Sequence, residues 1–439
     1  MRSTHWKARL SRSNTAGFEN LSNGVRPRSG RQKKRPVPNT GTPCTPRANE
    51  SVPSEVGAVP KWRVPFFDVI LGEEEKKAAM EVLESGWLTM GQRTSEFEHE
   101  FAAWLGVRHA VAVANGTAAL HLAHSLLGLQ PGDEVICPSL SFVAGANAIL
   151  YCGAKPVFAD ICSDDDLTIA PDSIAERITN RTRAIQVMHY GGHSCDMRAI
   201  QELAIRHGLR IIEDCAHAPG TTLDGISLGS YGDIGCFSFF SNKNMTTGEG
   251  GMVTTNNDEF AKELKLRRSH GMTVQTMERY RGVSLSYDVV MQGYNHRMDE
   301  MRAAIGLAQL KKLAHSNQRR AQVCDAYRSR LCDIKDISLP FDKTRGQSVN
   351  HLFPILLKDA ERRESLMQYL RSEGIQTSIH YPPIHKFSYF EEHVLRQRID
   401  LPTTERVAER LVTLPLFPTM GEDEISVVTT NIHNYFQQF

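Results

Sequence analysis

The sequence contains no long apolar run, and none approaches the roughly 20 residues that a membrane-spanning helix needs. Charge of one sign is also missing, because 51 basic and 50 acidic side chains leave a formal net charge of +1. We therefore expect neither nucleic acid nor a membrane as a partner. No Cys-x-x-Cys pair occurs among the nine cysteines, which favours free thiols in a reducing cytoplasm. Internal repeats and a clean signal-peptide core are not recognisable.

Residues 1–60 differ in composition from the rest of the chain. They carry many lysines and arginines against only Glu19, Glu50 and Glu55, and they are rich in proline, serine, threonine and asparagine. Such a segment buries too little apolar surface to offset its ordering entropy, so a basic, disordered N-terminal extension is expected. The basic run 31–35 could instead contact nucleic acid or act as a targeting address. An over-long reading frame is a third interpretation.

The remaining chain alternates short apolar runs with helical patterns, which predicts an α/β fold with a largely parallel sheet between helices. We expect order from Val64 onwards. The predicted strands are 110–114, 134–137, 156–159, 184–188, 209–213, 236–240 and 251–255. Residues 61–300 would form a large domain. Residues 301–439 would begin with a long helix and form a smaller α/β domain with strands near 352–357 and 375–381.

Two helices precede the first predicted strand. Residues 72–86 have acidic residues in the first turn and a closing Gly86, as expected for a capped amphipathic helix. Ser95 and Glu98 have the spacing of a capping box, which predicts a second helix that ends at Leu105.

Polar residues follow three of the predicted strands, and ligands of open α/β sheets bind beyond the C-terminal strand ends. Gly116 and Thr117 open a helix, so their N–H groups could hold a phosphate, although a plain N-cap turn is the simpler interpretation. Asp214 follows a buried strand and could keep a pyridine nitrogen protonated, with His217 in reach of the same ring; an N-cap aspartate is the alternative.

Lys243 lies between a buried strand and a glycine-rich turn that contains Gly248, Gly250 and Gly251. This placement is unusual, because lysine is normally solvated. In a site, its amine can lose a proton and form an imine with an aldehyde. Ser238 on the preceding strand could donate to a phosphate. A phosphate cradle, a carboxylate and an imine-forming lysine together point to pyridoxal 5'-phosphate (PLP).

From about Val64 to the C-terminus the chain resembles the DegT/StrS-type (DegT/DnrJ) sugar aminotransferases, which have the fold type I of PLP enzymes. The segments that carry the resemblance are long and ordered. They are 66–75, 83–102, 115–123, 138–149, 213–220, 238–252, 293–310 and 380–386. The resemblance implies a large domain with a mostly parallel seven-stranded sheet and a smaller C-terminal α/β domain.

The resemblance also implies roles for individual residues. Lys243 would carry PLP as a Schiff base and move the proton, and Asp214 would pair with the pyridinium. The other implied cofactor contacts are Gly116, Thr117 and Ser238 at the phosphate, Phe142 on the ring face, His217 near the ring hydroxyl, and Asn295 from a partner subunit. Because Asn295 would reach the cofactor of a partner subunit, the resemblance also implies a homodimer with shared active sites. For Phe142, ordinary core packing is the alternative.

Four further residues match segments around the substrate of such enzymes. His380, Tyr381 and His385 correspond to a segment that lines the sugar pocket, and Arg297 would contact substrate or form a structural ion pair. The implied reaction is a ping-pong transamination from glutamate or glutamine to a keto sugar, with a nucleotide-linked 4-keto (or 3-keto) deoxysugar favoured. A sugar dehydratase on the same fold and a non-catalytic PLP-binding regulatory protein are the rivals; the dehydratases commonly replace the lysine with histidine.

Two other patterns suggest different chemistry. Residues 225–229 match the Gly-x-Ser-x-Gly pattern of serine hydrolases but lack the strand–turn–helix context, so a hairpin turn is predicted. His189, His193, Cys195 and Asp196 cluster along the chain, yet the Gly-Gly bend between them leaves no defined ligand geometry. We therefore predict no metal site.

Overall fold

A seven-stranded sheet forms the centre of the protein in a computed structural model that describes residues 62–274, 280, 282, 286–395 and 398–438. The described residues belong to one unit, Pro60–Phe439. The predicted basic extension, residues 1–60, lies outside the described residues. In the described part of the chain, no helix is both long enough and apolar enough to cross a membrane.

The strands alternate with helices along the chain, as the sequence predicts. The strands are β1 (His109–Val113), β2 (Glu134–Pro138), β3 (Lys155–Ala159), β4 (Thr182–Met188), β5 (Arg210–Asp214), β6 (Thr222–Leu223), β7 (Ile226–Ser227), β8 (Ile234–Ser238), β9 (Gly251–Thr255), β10 (Ile337–Ser338), β11 (Phe353–Leu357) and β12 (Leu411–Leu414). The helices are α1 (Glu73–Ser85), α2 (Gln92–Leu105), α3 (Gly116–Ser125), α4 (Ala144–Tyr151), α5 (Pro171–Arg177), α6 (Met197–His207), α7 (Asp258–Arg268), α8 (Glu300–Leu331), α9 (Arg362–Ser372), α10 (Pro402–Arg410) and α11 (Glu422–Gln438).

The large sheet has the spatial order β1-β9-β8-β5-β4-β2-β3. The neighbours β3, β2, β4, β5 and β8 run parallel to one another, and β9 is antiparallel to both β8 and β1. The seven predicted strands and the mostly parallel sheet are therefore confirmed. Because the parallel strands share one direction, the residues that follow β2, β4, β5 and β8 meet at one edge of the sheet.

Successive side chains of a strand point to opposite faces, and both faces of this sheet are buried. On β1, Ala110 and Ala112 pack into a core with Phe97 and Phe101 of α2. The alternate residues of β1 pack into a second core with α3 on the other face. This two-sided burial explains why the strands read as continuous apolar runs in the sequence.

A second, three-stranded sheet has the order β10-β11-β12 and packs with α8, α9 and α11 around its own core. The predicted strand at 352–357 is confirmed as β11. The predicted strand at 375–381 is wrong, because this segment makes only single bridges, from Ile375 to Val64 and from Ser378 to Thr413. Pro382 and Pro383 follow it and have no N–H with which to extend a ladder.

The predicted hairpin around residues 225–229 is confirmed by the antiparallel pair β6 and β7. Asp224 and Gly225 form its turn with φ of 51° and 78°, as two-residue hairpin turns require. The Gly-x-Ser-x-Gly pattern is therefore not a nucleophile turn between a strand and a helix.

The N-terminus of α2 differs from the prediction. The helix begins at Gln92, three residues before the proposed cap Ser95, and Ser95 Oγ donates to the Gly91 carbonyl within the helix. The carboxylate of Glu300 caps the helix instead, accepting from the backbone N–H groups of Gly91, Arg93 and Thr94 at 2.7, 2.7 and 2.8 Å. The predicted capping box is wrong, because the capping residue, Glu300, lies about 200 positions away along the chain. Local spacing in the sequence cannot indicate such a contact.

We expect Glu300→Ala to lower the free energy of unfolding by about 2–4 kcal/mol, because three helix N–H groups would lose a buried, charged acceptor. Urea denaturation measures the change. The control is Glu73→Ala, which removes an exposed pair with Lys76 and should cost under about 1 kcal/mol. Equal losses in the two variants would contradict the capping role of Glu300.

Candidate active site

A cavity of about 420 Å³ opens at the edge of the large sheet where the parallel strands end. Nine of the twelve residues singled out in the sequence line it. They are Gly116, Thr117, Phe142, Asp214, His217, Ser238, Lys243, His380 and Tyr381. Residues far apart in sequence thus meet in one place.

The N-terminus of α3 forms one wall of the cavity. Its cap is Asn115, whose side chain accepts from the Ala118 N–H at 2.8 Å, so the N–H groups of Gly116 and Thr117 remain at the open first turn. A Cβ on Gly116 would lie 2.7 Å from the Ser238 Cβ, so only glycine allows α3 to approach Ser238 this closely. A helix N-terminus beside a hydroxyl is a site for a phosphate.

Asp214 and Lys243 both line the cavity, where Asp214 is buried and Lys243 is partly buried. Burial lowers the pKa of the Lys243 amine to about 8, although the Asp214 carboxylate opposes that change. Burial also raises the pKa of Asp214, against a hydrogen bond from the Ala216 N–H at 3.0 Å and the nearby charge of Lys243. A cation placed beside Asp214 would stabilise its ionised form, and an amine that becomes neutral near pH 8 can act as a nucleophile.

The turn that carries Lys243 is fixed by its neighbours. The Lys243 N–H donates to the Phe240 carbonyl at 2.9 Å. The next residue, Asn244, donates from Nδ2 to the Val349 carbonyl at 3.1 Å and to Asn317 Oδ1 at 2.9 Å. These contacts hold the backbone at the lysine, so its side chain enters the cavity from a fixed point.

Three aromatic side chains line the cavity close to one another, namely Phe142, His217 and Tyr381. His217 Nδ1 accepts from the Gly191 N–H at 3.3 Å, and His217 Nε2 lies 2.9 Å from Tyr381 Oη. Burial, followed by the charge of Lys243, lowers the pKa of His217 well below its usual value. The ring of Phe142 lies 6.1 Å from that of Tyr381 and its side chain is 55% exposed. Core packing, the alternative for Phe142, is therefore wrong.

The structure brings three candidate residues to other places. His385 is buried and does not line the cavity, with Nδ1 2.7 Å from Ser139 Oγ and Nε2 3.1 Å from Glu405 Oε1. Asn295 is exposed and bridges to Ser269.

Arg297 bridges to Val113, the last residue of β1. Burial and the charge of Arg268 lower the pKa of Arg297. No carboxylate among the described residues pairs with the guanidinium, so the structural ion pair considered for it is not found there.

Sequence reasoning missed several lining residues, among them Asn115, Met188, Asn242 and Glu249. Asn242 is the most informative, because its Oδ1 is buried without a hydrogen-bond partner among the described residues. Its position directly before Lys243 was a signal that could have found it. Met188 ends β4 and carried no chemical signal of its own.

Of the residues that suggested a metal site, His189 and Cys195 are hydrogen bonded, whereas the ring of His193 stacks on that of Phe341 and its Nδ1 is buried without a partner among the described residues. His189 Nε2 lies 3.1 Å from Glu213, and its Nδ1 accepts from the Cys195 N–H at 3.3 Å. Ligand atoms of His189, Glu213 and Cys215 lie within 4.8 Å of one another. Glu213 also accepts from the N–H groups of Gly229 and Gly232. These hydrogen bonds tie β4 and β5 to the loop before β8.

The PLP that the cavity residues suggest fits their donor set. The hydroxyl and N–H groups at Gly116, Thr117 and Ser238 suit its phosphate, the buried Asp214 carboxylate suits a protonated pyridine nitrogen, and Lys243 supplies a nucleophilic amine. The close approach of Gly116 to Ser238 and the unpartnered Asn242 Oδ1 mark a cavity that is built to hold a polar ligand.

Comparisons with known proteins agree with this geometry. The spore coat polysaccharide biosynthesis protein SpsC of Bacillus subtilis (strain 168) is 39% identical over 370 residues, which cover 83% of this chain and 95% of SpsC. Helicobacter pylori PseC, an aminotransferase involved in the biosynthesis of pseudoaminic acid, superposes with a TM-score of 0.81 at 30% identity, over 86% of this chain and 100% of PseC.

The structure of Spr1654 from Streptococcus pneumoniae in its PLP form superposes with a TM-score of 0.79 at 28% identity, over 85% of this chain and 99% of Spr1654. The sequence profile of the DegT/DnrJ/EryC1/StrS aminotransferase family matches residues 69–433. Residues 69–433 contain every residue that lines the cavity. The chain therefore belongs to the DegT/DnrJ/EryC1/StrS aminotransferase family and is a PLP-dependent aminotransferase of fold type I.

Proposed function

We propose that the protein transfers an amino group from glutamate or glutamine to a keto sugar, specifically a nucleotide-linked 4-keto (or 3-keto) deoxysugar, in a ping-pong reaction. The observation that carries the proposal is the partly buried Lys243, with its pKa lowered to about 8, in the same cavity as Asp214 and a phosphate cradle. SpsC and PseC, whose names refer to polysaccharide and pseudoaminic acid biosynthesis, support a sugar as the amino acceptor.

Each group in the cavity has a separate task in this proposal. PLP, when bound, supplies the aldehyde carbon that receives the amino group and a ring that delocalises negative charge. Gly116, Thr117 and Ser238 bind its phosphate, and Phe142 packs on the ring face. Asp214 holds a proton on the pyridine nitrogen, because a buried carboxylate favours a cation beside it.

Lys243 would have two tasks. Its neutral amine would hold the cofactor covalently, and when an amine substrate had freed the lysine, Nζ would carry a proton from one carbon to another. A lysine with its pKa near 8 suits both tasks, since the neutral and the protonated amine are both populated close to neutral pH.

We further propose a homodimer in which Asn295 reaches the phosphate of the partner's cofactor and Arg297 contacts substrate. Asn295 is exposed and is not a lining residue of its own subunit's cavity. Exposed apolar side chains around the N-terminal helices, including Leu71, Met80, Leu83 and Leu88, offer a surface for a second copy. A cytoplasmic location is consistent with the eight described cysteines, all of which are free.

Two alternatives remain distinct from this proposal. Sugar dehydratases on the same fold commonly replace the lysine with histidine, whereas Lys243 is present and lines the cavity. A non-catalytic regulatory protein would bind PLP without turnover. A screen of keto-sugar nucleotides with glutamate, followed by mass spectrometry, distinguishes an aminated product from the dehydrated product of a dehydratase and from the unchanged sugar left by a non-catalytic protein.

Replacing Lys243 with alanine should lower turnover by at least about 10³-fold, because the nucleophile and proton carrier are lost. Borohydride reduction of the wild-type enzyme should attach the cofactor mass to the peptide that contains Lys243, and the variant should show no such mass. Lys262→Ala is the control, since Lys262 forms an exposed pair with Glu259 on α7. Transamination by Lys243→Ala within tenfold of the wild type would refute the assignment.

Asp214→Asn should reduce kcat by about 10²–10³-fold, since a preorganised charge beside the ring is removed. The KM for the sugar should change by less than about threefold, because the proposed sugar contacts are elsewhere in the cavity. Steady-state kinetics with each substrate varied in turn measures both constants. A parallel loss of proton transfer and sugar binding would indicate that Asp214 only supports the fold.

The uptake of PLP by the cofactor-free protein should depend on pH through Lys243. Protonation blocks the amine below its pKa, so the rate should increase about tenfold per pH unit from pH 6 and level off above about pH 8. Stopped-flow absorbance records the rate. A rate that keeps increasing to about pH 10, as for an ordinary lysine, would show that the cavity does not depress the pKa.

A further inference from the structure

We propose that the Tyr381 hydroxyl is a one-way hydrogen-bond donor to an oxygen atom of the sugar substrate, and that the backbone imposes this direction through His217. The inference rests on the proposed keto-sugar activity and assigns a specificity-determining role to one hydroxyl. Three links carry it: a backbone N–H, an imidazole and a phenol.

The first link fixes the tautomer of His217. The Gly191 N–H can only donate, and it donates to His217 Nδ1 at 3.3 Å. Nδ1 is therefore an acceptor without a proton of its own. Gly191 lies in a tight turn with φ of 62°, which favours glycine, so the backbone that sets this direction is itself tightly specified.

The second link sets the role of Tyr381. A neutral imidazole carries one proton, and His217 stays neutral because burial and the charge of Lys243 disfavour the imidazolium and lower its pKa. Since Nδ1 is occupied, the proton is on Nε2, 2.9 Å from Tyr381 Oη. Tyr381 Oη therefore accepts from His217 and does not donate to it.

The third link directs the remaining proton. Burial raises the pKa of Tyr381, so the phenol keeps its proton. No acceptor for that proton is present among the described residues, while both Tyr381 and His217 line the cavity. The O–H group is left to donate to a ligand oxygen, and a bound ligand that covers this donor without offering an acceptor is disfavoured.

We assign the acceptor to the sugar because Tyr381 comes from the segment that follows α9, which carries none of the proposed cofactor groups. Those groups lie at or after the ends of β1, β2, β5 and β8, and Tyr381 lies beside two of them, His217 and Phe142. The Tyr190 hydroxyl donates to the His380 carbonyl, and His380 Nδ1 lies 3.2 Å from Thr413 Oγ1. The ring of Tyr381 is tilted by 52° to that of Phe142, one of the exposed aromatic side chains that line the cavity.

The contacts of His385 with Ser139 and Glu405 hold the segment on the C-terminal side of Tyr381. Ser139 directly follows β2 and also accepts, through its carbonyl, from the Ile384 N–H at 2.9 Å. Tyr381 is thus fixed between contacts on both sides along the chain. Because the Tyr381 side chain is already held in place, little conformational entropy is lost when its hydroxyl binds a substrate oxygen, and the position of that oxygen decides which substrate fits.

The direction of the hydrogen bonds can be measured without turnover. Long-range ¹⁵N–¹H spectra of ¹⁵N-histidine-labelled holoenzyme, with the signals of His217 identified by their loss in His217→Gln, report which nitrogen carries the proton. We expect protonated Nε2 and unprotonated Nδ1 from pH 6 to 8. Protonated Nδ1 would overturn the inference, whatever the enzyme aminates.

The role in specificity is tested by the two half-reactions. With a keto-sugar nucleotide accepted in the screen, Tyr381→Phe should lower kcat/KM for the sugar by about 10- to 100-fold, the loss expected for an unpaired acceptor. The absorbance change on mixing the holoenzyme with glutamate should keep its rate within about threefold. Tyr389→Phe, on an exposed ring outside the cavity, is the matched control and should match the wild type.

A double-mutant cycle separates this role from general damage to the cavity. In the background of His217→Leu, which cannot direct the phenol, Tyr381→Phe should cost at least threefold less for the sugar than in the wild type. His217→Gln retains an acceptor and a donor, so in this background Tyr381→Phe should again cause most of the loss in kcat/KM for the sugar that it causes in the wild type. An equal loss in both half-reactions, or no loss for the sugar, would overturn the inference; finding no accepted keto sugar would instead refute the proposed function.

Discussion

The site depends on two opposite charges, the partly buried Lys243 and the buried Asp214, at the edge of the large sheet where parallel strands end. Neither charge is well solvated there: burial lowers the pKa of the lysine to about 8 and raises that of the aspartate. Opposite charges withdrawn from water in this way add little stability by themselves. Its value is chemical, because the amine becomes available as a nucleophile and the carboxylate favours a cationic ligand. The seven-stranded sheet, the Gly116 contact with Ser238 and the anchored Asn244 all serve to place these groups around one cavity.

The rest of the cavity is organised by directional hydrogen bonds. Backbone groups set the tautomer of His217, and through it the donor role of Tyr381. Side chains from the C-terminal part of the chain hold the segment that carries Tyr381, while the proposed cofactor groups come from the large sheet. This division lets the sheet keep one cofactor chemistry constant while loops decide which sugar is accepted, a common arrangement in enzymes that share a fold.

Much of the fold and of the site could be predicted from the sequence, because both depend on local patterns. Buried strands read as apolar runs, and Lys243, Asp214 and Gly116 each follow such a run. The failures have a common physical cause, which is contact between distant residues. Glu300 caps α2 from another part of the chain, and the segment 375–381 makes single bridges where a strand was expected. His385 matched a pocket segment, yet Ser139 and Glu405 draw its ring into the protein.

The central claim is that desolvation and Asp214 together set the state of the Lys243 amine. The most direct test is the pKa of Lys243 itself, measured by ¹³C NMR of lysine-labelled, cofactor-free protein, in the wild type and in Asp214→Asn. The account predicts a value of about 8 in the wild type and a lower value in the variant, because the carboxylate that favours the ammonium form is gone. A wild-type value near that of free lysine, or a pKa that increases in Asp214→Asn, would contradict it.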